Sequence, residues 1–222
     1  MMDASGSLTR EKKKSRQDAV VRAATPADAK VAAELIYLPM GRLADHLFGD
    51  DHRERALEVI RFLFSLDDTR FSHRFCDIFE VKGQVAALLL SYPAQIPSDL
   101  AGSTGRRFKE ILGVKGMARM LRRSIPFIRH REAEQDEYYV FTVAALPRFQ
   151  GNGLGKVVMA LAEQKAREAG LTKISLGVTL NNHRAIRFYS RLGFNVVETV
   201  RTPGLMRRIR HPGYCKMLKE LS

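Results

Sequence analysis

The 222-residue sequence lacks any long apolar run. Its longest, at 85–90, has the length of a strand, whereas a helix that spans a membrane needs about 20 apolar residues. Residues 1–17 contain no apolar stretch that could form the core of a secretory signal. These absences argue against a membrane partner and predict a cytoplasmic protein.

Cysteine is also scarce, with Cys76 and Cys215 the only two in the chain. One disulfide between them is conceivable, but two separate thiols are expected in a reducing compartment. Neither cysteine has a second Cys at the spacing of a zinc site, so no metal is predicted. His46 and His52 lie near several aspartates without the spacing of a helical zinc pair, and we interpret them as part of a polar helix boundary.

Positive charge, in contrast, is in excess, with a formal net charge of +13. The basic residues concentrate in a tail at 1–18, a stretch at 106–131 and a cluster at 201–210. Such a surface attracts nucleic acid, acidic substrates or a polyanionic cofactor. Aromatic residues are not interleaved with the charges, which disfavours binding of single-stranded nucleic acid. An uncommitted basic surface explains the charge equally well, so charge alone does not choose a function.

The length and the 45% hydrophobic content predict a single domain at 19–222 after a flexible tail at 1–18. Thr25 and Pro26 mark the start of a first helix, and the Leu-Pro pair at 38–39 predicts its end. Strands and helices alternate irregularly, which predicts a mixed α/β layer fold rather than a barrel. The periodicity predicts strands at 19–24, 75–81, 84–92, 138–145, 173–178, 195–202 and 214–221. It predicts helices at 29–37, 50–66, 154–169 and 183–192, a loop at 93–105 and a partly helical segment at 108–128.

A glycine-rich turn at 150–156 joins the strand at 138–145 to the helix at 154–169. The first turn of a helix carries unpaired N–H groups and the positive end of the helix dipole. Glycine lets an anion, typically phosphate, approach that backbone closely. The turn is therefore a candidate phosphate site, with a ligand-free glycine turn as the alternative. The Walker pattern fails because Val157 follows Gly-Lys, and the Rossmann pattern fails because the glycines fall at 151, 153 and 155.

The segment QGNGLG at 150–155 resembles the Q/R-x-x-G-x-G/A signature of the GNAT superfamily of acetyltransferases. After the next predicted strand, NHRAIRFYSRLGF at 182–194 resembles the family's second motif, N-x-x-A-x-x-x-Y followed by L-G-F. The resemblance is tight at 138–194 and looser at 20–92. It says little about 93–131, and the last two strands fit in outline.

The resemblance implies a twisted mixed sheet of six or seven strands flanked by helices. The parallel strands at 138–145 and 173–178 would splay apart, with acetyl-CoA in the opening. It implies an N-acetyltransferase that moves the acetyl group directly to a primary amine, with both cysteines structural. The implied cofactor-binding residues are Val143, Ala145, Gln150, Gly151, Asn152, Gly153, Leu154, Gly155, Lys156 and Asn182.

By the same resemblance, Tyr189 is the catalytic residue, donating a hydrogen bond to the departing CoA thiolate. The ordinary pKa of tyrosine lies about 1.5 units above that of a thiol, so a hydrogen bond is a safer role than full proton transfer. Tyr189 is alternatively a core aromatic, and Asn182 is alternatively a helix N-cap. No general base is predicted, because four carboxylates near strand ends could equally be solvated: Asp77, Glu80, Asp136 and Glu137.

Two other functions stay open at this point, a catalytically silent acyl-CoA-binding module on the same fold and a nucleic-acid-binding protein. The acceptor is not legible, and a small molecule, a peptide N-terminus, a lysine side chain and an antibiotic are all compatible. A homodimer through the C-terminal strands is common in the family.

Overall fold

The computed structural model describes residues 19–95, 98–128 and 132–221. The predicted tail at 1–18 lies outside the described residues, as do residues 129–131 of the basic stretch. Among the described residues, every helix is too short or too polar to cross a membrane.

A seven-stranded mixed sheet forms the centre of the described chain, in the order β1-β2-β3-β4-β5-β7-β6. The parallel pair is β4 with β5, and the other neighbours are antiparallel. The predicted mixed α/β class and strand number are therefore confirmed. The strands are β1 (Ala19–Ala23), β2 (Cys76–Val81), β3 (Gln84–Pro93), β4 (Glu137–Ala145), β5 (Lys173–Thr179), β6 (Asn195–Arg201) and β7 (Gly213–Glu220).

Helices cover both faces of the sheet. They are α1 (Ala29–Met40), α2 (Arg42–Phe48), α3 (Arg53–Ser65), α4 (Ser98–Ile128), α5 (Leu154–Glu168), α6 (His183–Ser190) and α7 (Pro203–Ile209). Side chains alternate along β3, so Leu88 and Leu90 join a core with α1 and α3, whereas Leu89 joins a second core with α5. The parallel strands therefore run between two buried layers.

Local signals predict the first helix well at its start and poorly at its end. Thr25 forms a capping box with Asp28 ahead of α1, as its sequence predicts. The predicted end at 38–39 is wrong, because α1 continues through Pro39 to Met40. Proline there removes one backbone bond in the last turn, and Gly41, with φ of 48°, then ends the helix. The short helix α2 follows at once and was not predicted.

The predicted loop at 93–105 is wrong from Ser98 onward, where α4 begins. Small residues lower the helix propensity of this segment, but tertiary contacts override propensity. The Thr104 hydroxyl donates to the Leu100 carbonyl at 2.8 Å and accepts from the Arg70 N–H at 3.0 Å. Gly113, with φ of 69° and ψ of 176°, divides α4 into two helical halves. The helix α7, between the last two strands, was also not predicted.

Candidate functional site

The parallel strands β4 and β5 separate part of the way along their length. Their pairing begins at Glu137 with Lys173 and ends at Val140 with Leu176. Both strands continue further. β4 extends to Ala145 and remains paired with β3 as far as that residue. The predicted splay is therefore confirmed, and the far half of β4 has an edge that β5 does not cover.

A β-bulge marks the point of separation. Leu90 pairs with Thr142 and Ser91 pairs with Val140, which leaves Phe141 as an extra residue on β4. A bulge bends its strand and increases the local twist. It falls where β4 leaves β5, so it accounts for the opening. No signal in the sequence marks Phe141, because a bulge depends on the register between two strands.

The backbone of Val143 faces the opening. The N–H of Leu146 donates to the carbonyl of Ala86 on the β3 side at 2.9 Å. Alternate residues of a strand direct their backbone groups to opposite sides, so Val143 and Ala145 face away from β3. The Gln150 side chain bears this out, since its Nε2 donates to the Ala145 carbonyl at 2.9 Å. The N–H and carbonyl of Val143 are thus directed at the edge that β5 leaves uncovered.

The glycine-rich turn lies directly after this edge. Gly151 and Gly153 have φ of 80° and 79°, in the left-handed region that glycine adopts without a Cβ penalty. Gly153 is the N-cap of α5, and its carbonyl accepts from the Lys156 N–H at 3.0 Å. No Asp or Glu occurs at 138–162, and α5 has no acidic residue in its first turn. The first N–H groups of α5 therefore lie in surroundings that favour an anion.

The two sequence motifs meet in space. A Cβ added to Gly155 would lie 3.1 Å from Cζ of Phe188, so α5 and α6 pack closely where Gly155 has no side chain. Asn182 caps α6, because its Oδ1 accepts from the Ala185 N–H at 3.1 Å. This is the capping role left open by the sequence, and it leaves the cofactor role of Asn182 a prediction.

Tyr189 lies on α6, with its ring centroid 5.1 Å from that of Phe188 and 5.8 Å from that of Phe194. The side chain is partly buried, and burial raises its pKa to about 12. Within the described ranges, the Tyr189 hydroxyl makes no hydrogen bond to a protein group. Tyr189 is thus a neutral hydrogen-bond donor at neutral pH, and its catalytic role stays a prediction.

The four carboxylates near strand ends all form ion pairs. The pairs are Asp77 with Lys165, Glu80 with Arg22, Asp136 with Lys173 and Glu137 with Lys216. Each charge therefore has a structural partner, and none of the four is assigned as a general base.

Both cysteines are buried as free thiols. Burial raises the pKa of Cys76 and of Cys215, which disfavours the nucleophilic thiolate. His46 is buried, and its Nδ1 lies 3.0 Å from Oδ1 of Asp51. Within the described ranges, no group of three or more His, Cys, Asp or Glu side chains could hold a metal ion.

The fold and the site define a class of protein. An uncovered strand edge that leads into a glycine-rich helix start suits a ligand with an extended polar arm and phosphate groups. Residues 109–194 match the acetyltransferase (GNAT) family. This segment is therefore similar to GNAT acetyltransferases, and the resemblance stated from the two motifs is confirmed.

One curated relative is also called an N-acetyltransferase. The uncharacterized N-acetyltransferase YycN of Bacillus subtilis (strain 168) is 32% identical over 73 residues, which is 32% of this chain and 47% of that protein. The chain spans less than half the length of the curated relatives it matches.

Solved structures share the fold over most of the chain. A crystal structure described as an acetyltransferase has a TM-score of 0.65 at 22% identity, covering 91% of this chain and 100% of its own. A GNAT family acetyltransferase from Elizabethkingia anophelis with acetyl-CoA bound has a TM-score of 0.53 at 12% identity, covering 92% and 99%. At these identities the likeness establishes the fold.

Proposed function

We propose that the protein is an N-acetyltransferase that moves the acetyl group of acetyl-CoA directly to a primary amine. The observation that carries the proposal is the uncovered edge of β4, with the Val143 backbone facing it, beside the glycine-rich start of α5. The proposal also takes residues 19–222 as one domain and the cytoplasm as its location.

The residues present fit the pyrophosphate of CoA. Backbone N–H groups at 150–156 would hold it, since Gly151 and Gly153 keep side chains away from the turn. Arg148 and Lys156 are exposed at the same turn and add positive charge. The edge at Val143 and Ala145 would pair with the amide groups of the pantetheine arm. Acetyl-CoA, when bound, supplies an activated thioester.

Two groups of the chain would then assist attack by the amine. The Val143 N–H would donate to the oxyanion that forms on the thioester carbonyl. The Tyr189 hydroxyl would donate to the departing thiolate. Because burial raises the pKa of Tyr189 to about 12, further above a thiol, complete proton transfer is less favourable than donation of a hydrogen bond.

Titration calorimetry with acetyl-CoA tests the proposal, with Gly153→Glu as the disrupting variant. The introduced carboxylate would repel the pyrophosphate, so we expect saturable binding by the wild type and at least roughly 100-fold weaker binding by the variant. Gly170→Glu is a matched control, because Gly170 follows the other end of α5 and has a similar φ of 71°. Both variants place a side chain at a similar positive φ, and the control should bind as the wild type does.

A second assay separates acetyl-CoA binding from acetyl transfer. Release of CoA with a panel of primary amines would support transfer. Binding without release for any amine would favour the silent acyl-CoA-binding module. If the wild type shows no binding at near-millimolar acetyl-CoA, the enzyme proposal is wrong although the fold stands.

A further inference from the structure

The second half of α4 presents large apolar side chains to solvent. Val114, Leu121 and Ile125 are exposed to 71%, 49% and 60%, and Ala118 between them is also exposed. Steps of four, three and four residues place all four on one stripe of the helix. The opposite side packs inward, with Met120 in the core. A stripe of this kind on a soluble domain calls for a partner.

Positive charge runs beside the stripe. Lys115 and Arg122 are exposed, and their spacing of seven residues places them on one side of the helix next to the apolar side chains. Within the described residues, neither forms an ion pair with a carboxylate. The sequence contains no Asp or Glu at 111–128. We call the surface formed by these side chains the basic apolar face: Val114, Lys115, Leu121, Arg122 and Ile125.

The helix α7 extends this charge. Arg123 of α4 and Arg208 of α7 both contact Oδ2 of Asp51, at 2.9 and 3.5 Å, so the two helices lie near each other. The Phe127 ring also lies 6.0 Å from that of His211, directly after α7. The exposed residues of α7 include Met206, Arg207 and Arg208, and Arg210 directly after the helix is also exposed. Residues 199–219 contain no Asp or Glu, so the wider surface carries mainly positive charge, although Asp50 and Asp51 are exposed between the two helices.

We propose that the basic apolar face docks on an anionic lipid surface. An interfacial helix places apolar side chains at the boundary of headgroups and acyl chains, while Lys and Arg reach the headgroup phosphates. The face offers both groups side by side. A nucleic acid would use the charge but would gain little from exposed Val, Leu and Ile, which favours lipid.

Docking on a lipid surface is independent of acetyl transfer. The sequence predicted no membrane partner because it lacks a membrane-spanning segment. A helix that lies on a membrane needs amphipathic character rather than a run of about 20 apolar residues.

A single fluorophore provides the first test, because the chain contains no tryptophan. Leu121→Trp places the only indole on the basic apolar face, and Leu38→Trp places one at a similarly exposed leucine of α1. We expect the emission of Leu121→Trp to shift to the blue with vesicles of phosphatidylcholine containing one third phosphatidylserine. Pure phosphatidylcholine should cause no shift, and Leu38→Trp should not respond to either. A Leu121→Trp emission that does not change with anionic vesicles overturns the proposal.

Co-sedimentation with the same vesicles measures the two contributions. We expect Leu121→Glu to weaken binding at least roughly tenfold and Arg122→Ala about fivefold, with Leu38→Glu unchanged. Binding should fall as salt rises. Equal binding to neutral vesicles would contradict the charge argument. Tighter binding to duplex RNA that Leu121→Glu leaves unchanged would assign the face to nucleic acid. A dimer that Leu121→Glu dissociates, without vesicle binding by the wild type, would assign it to a second copy of the chain.

Discussion

The two ends of the β4 and β5 pair use their polar groups in opposite ways. At the paired end, the Glu137 carboxylate is buried, accepts from Ser175 Oγ at 2.6 Å and pairs with Lys216 Nζ at 2.9 Å. The Glu134 N–H adds a third contact at 3.1 Å. At the open end, beyond Val140, the backbone of Val143 faces an edge that none of the described strands covers.

The two ends of this pair of strands therefore have different roles. The paired end connects β4, β5 and β7 through side chains that satisfy one another, which holds the sheet together. The open end leaves backbone groups available, which costs ladder hydrogen bonds and makes a place for an extended ligand. Changes at the paired end should therefore alter stability, and changes at the open end should alter catalysis.

The largest effect is expected at the paired end, from Lys216→Met. The change leaves the Glu137 carboxylate buried without its counter-charge, and the side chains of Lys216 and Glu137 are 8% and 4% exposed. Breaking one partner of such a pair costs about 3–5 kcal/mol of unfolding free energy. Urea unfolding measures the loss, and acetyl-CoA affinity of the folded fraction should stay within about twofold.

The double variant Glu137→Leu with Lys216→Met is the control. Replacing a whole buried pair by apolar side chains is often neutral, so we expect most of the lost stability to return. A single variant that loses less than about 1 kcal/mol would show that the paired end does not depend on this contact.

The next largest effect is expected at the open end, where Val143→Pro is compared with Ala144→Pro at the neighbouring position of β4. Val143→Pro removes an N–H that faces the opening, so we expect kcat to fall about 100- to 1000-fold, the range for loss of one oxyanion donor. Ala144→Pro removes an N–H on the β3 side, so we expect a loss of about 1–3 kcal/mol in stability. Steady-state kinetics and urea unfolding on both variants test the assignment. The reverse pattern, with stability lost at Val143 and catalysis retained, would contradict it.

The sequence predicts the open end better than the paired end, for a physical reason. The glycine turn, the α5 start and the cap at Asn182 are encoded by neighbouring residues, because left-handed φ and unpaired N–H groups are local properties. The Glu137–Lys216 contact joins residues far apart in the chain, and the bulge at Phe141 depends on register. Neither leaves a local pattern.

The long helix α4 shows the other limit. Glycine and serine at 98–105 indicate a loop, and the helix forms because Phe108 packs against Phe48 and Phe71, with ring centroids 5.2 and 6.0 Å apart. Tertiary contacts of this kind outweigh intrinsic propensity and are not visible in a local window.

The smallest effect belongs to Tyr189, beside the open end. Tyr189→Phe keeps the ring contacts and removes a hydroxyl that makes no hydrogen bond to the described protein, so we expect little change in stability. If the Tyr189 hydroxyl donates to the thiolate, as proposed, its loss should lower kcat roughly 10- to 100-fold with KM nearly unchanged. Burial raises the pKa of Tyr189 to about 12, so its proton is retained below that pH, and the ratio of the two rates should be constant from pH 6 to about 10. The control is Tyr138→Phe, which removes a hydroxyl 3.1 Å from Ser91 Oγ and should cost about 1 kcal/mol of stability while kcat is retained. If Tyr189→Phe keeps full kcat, the tyrosine is a core aromatic and the thiolate takes its proton from water.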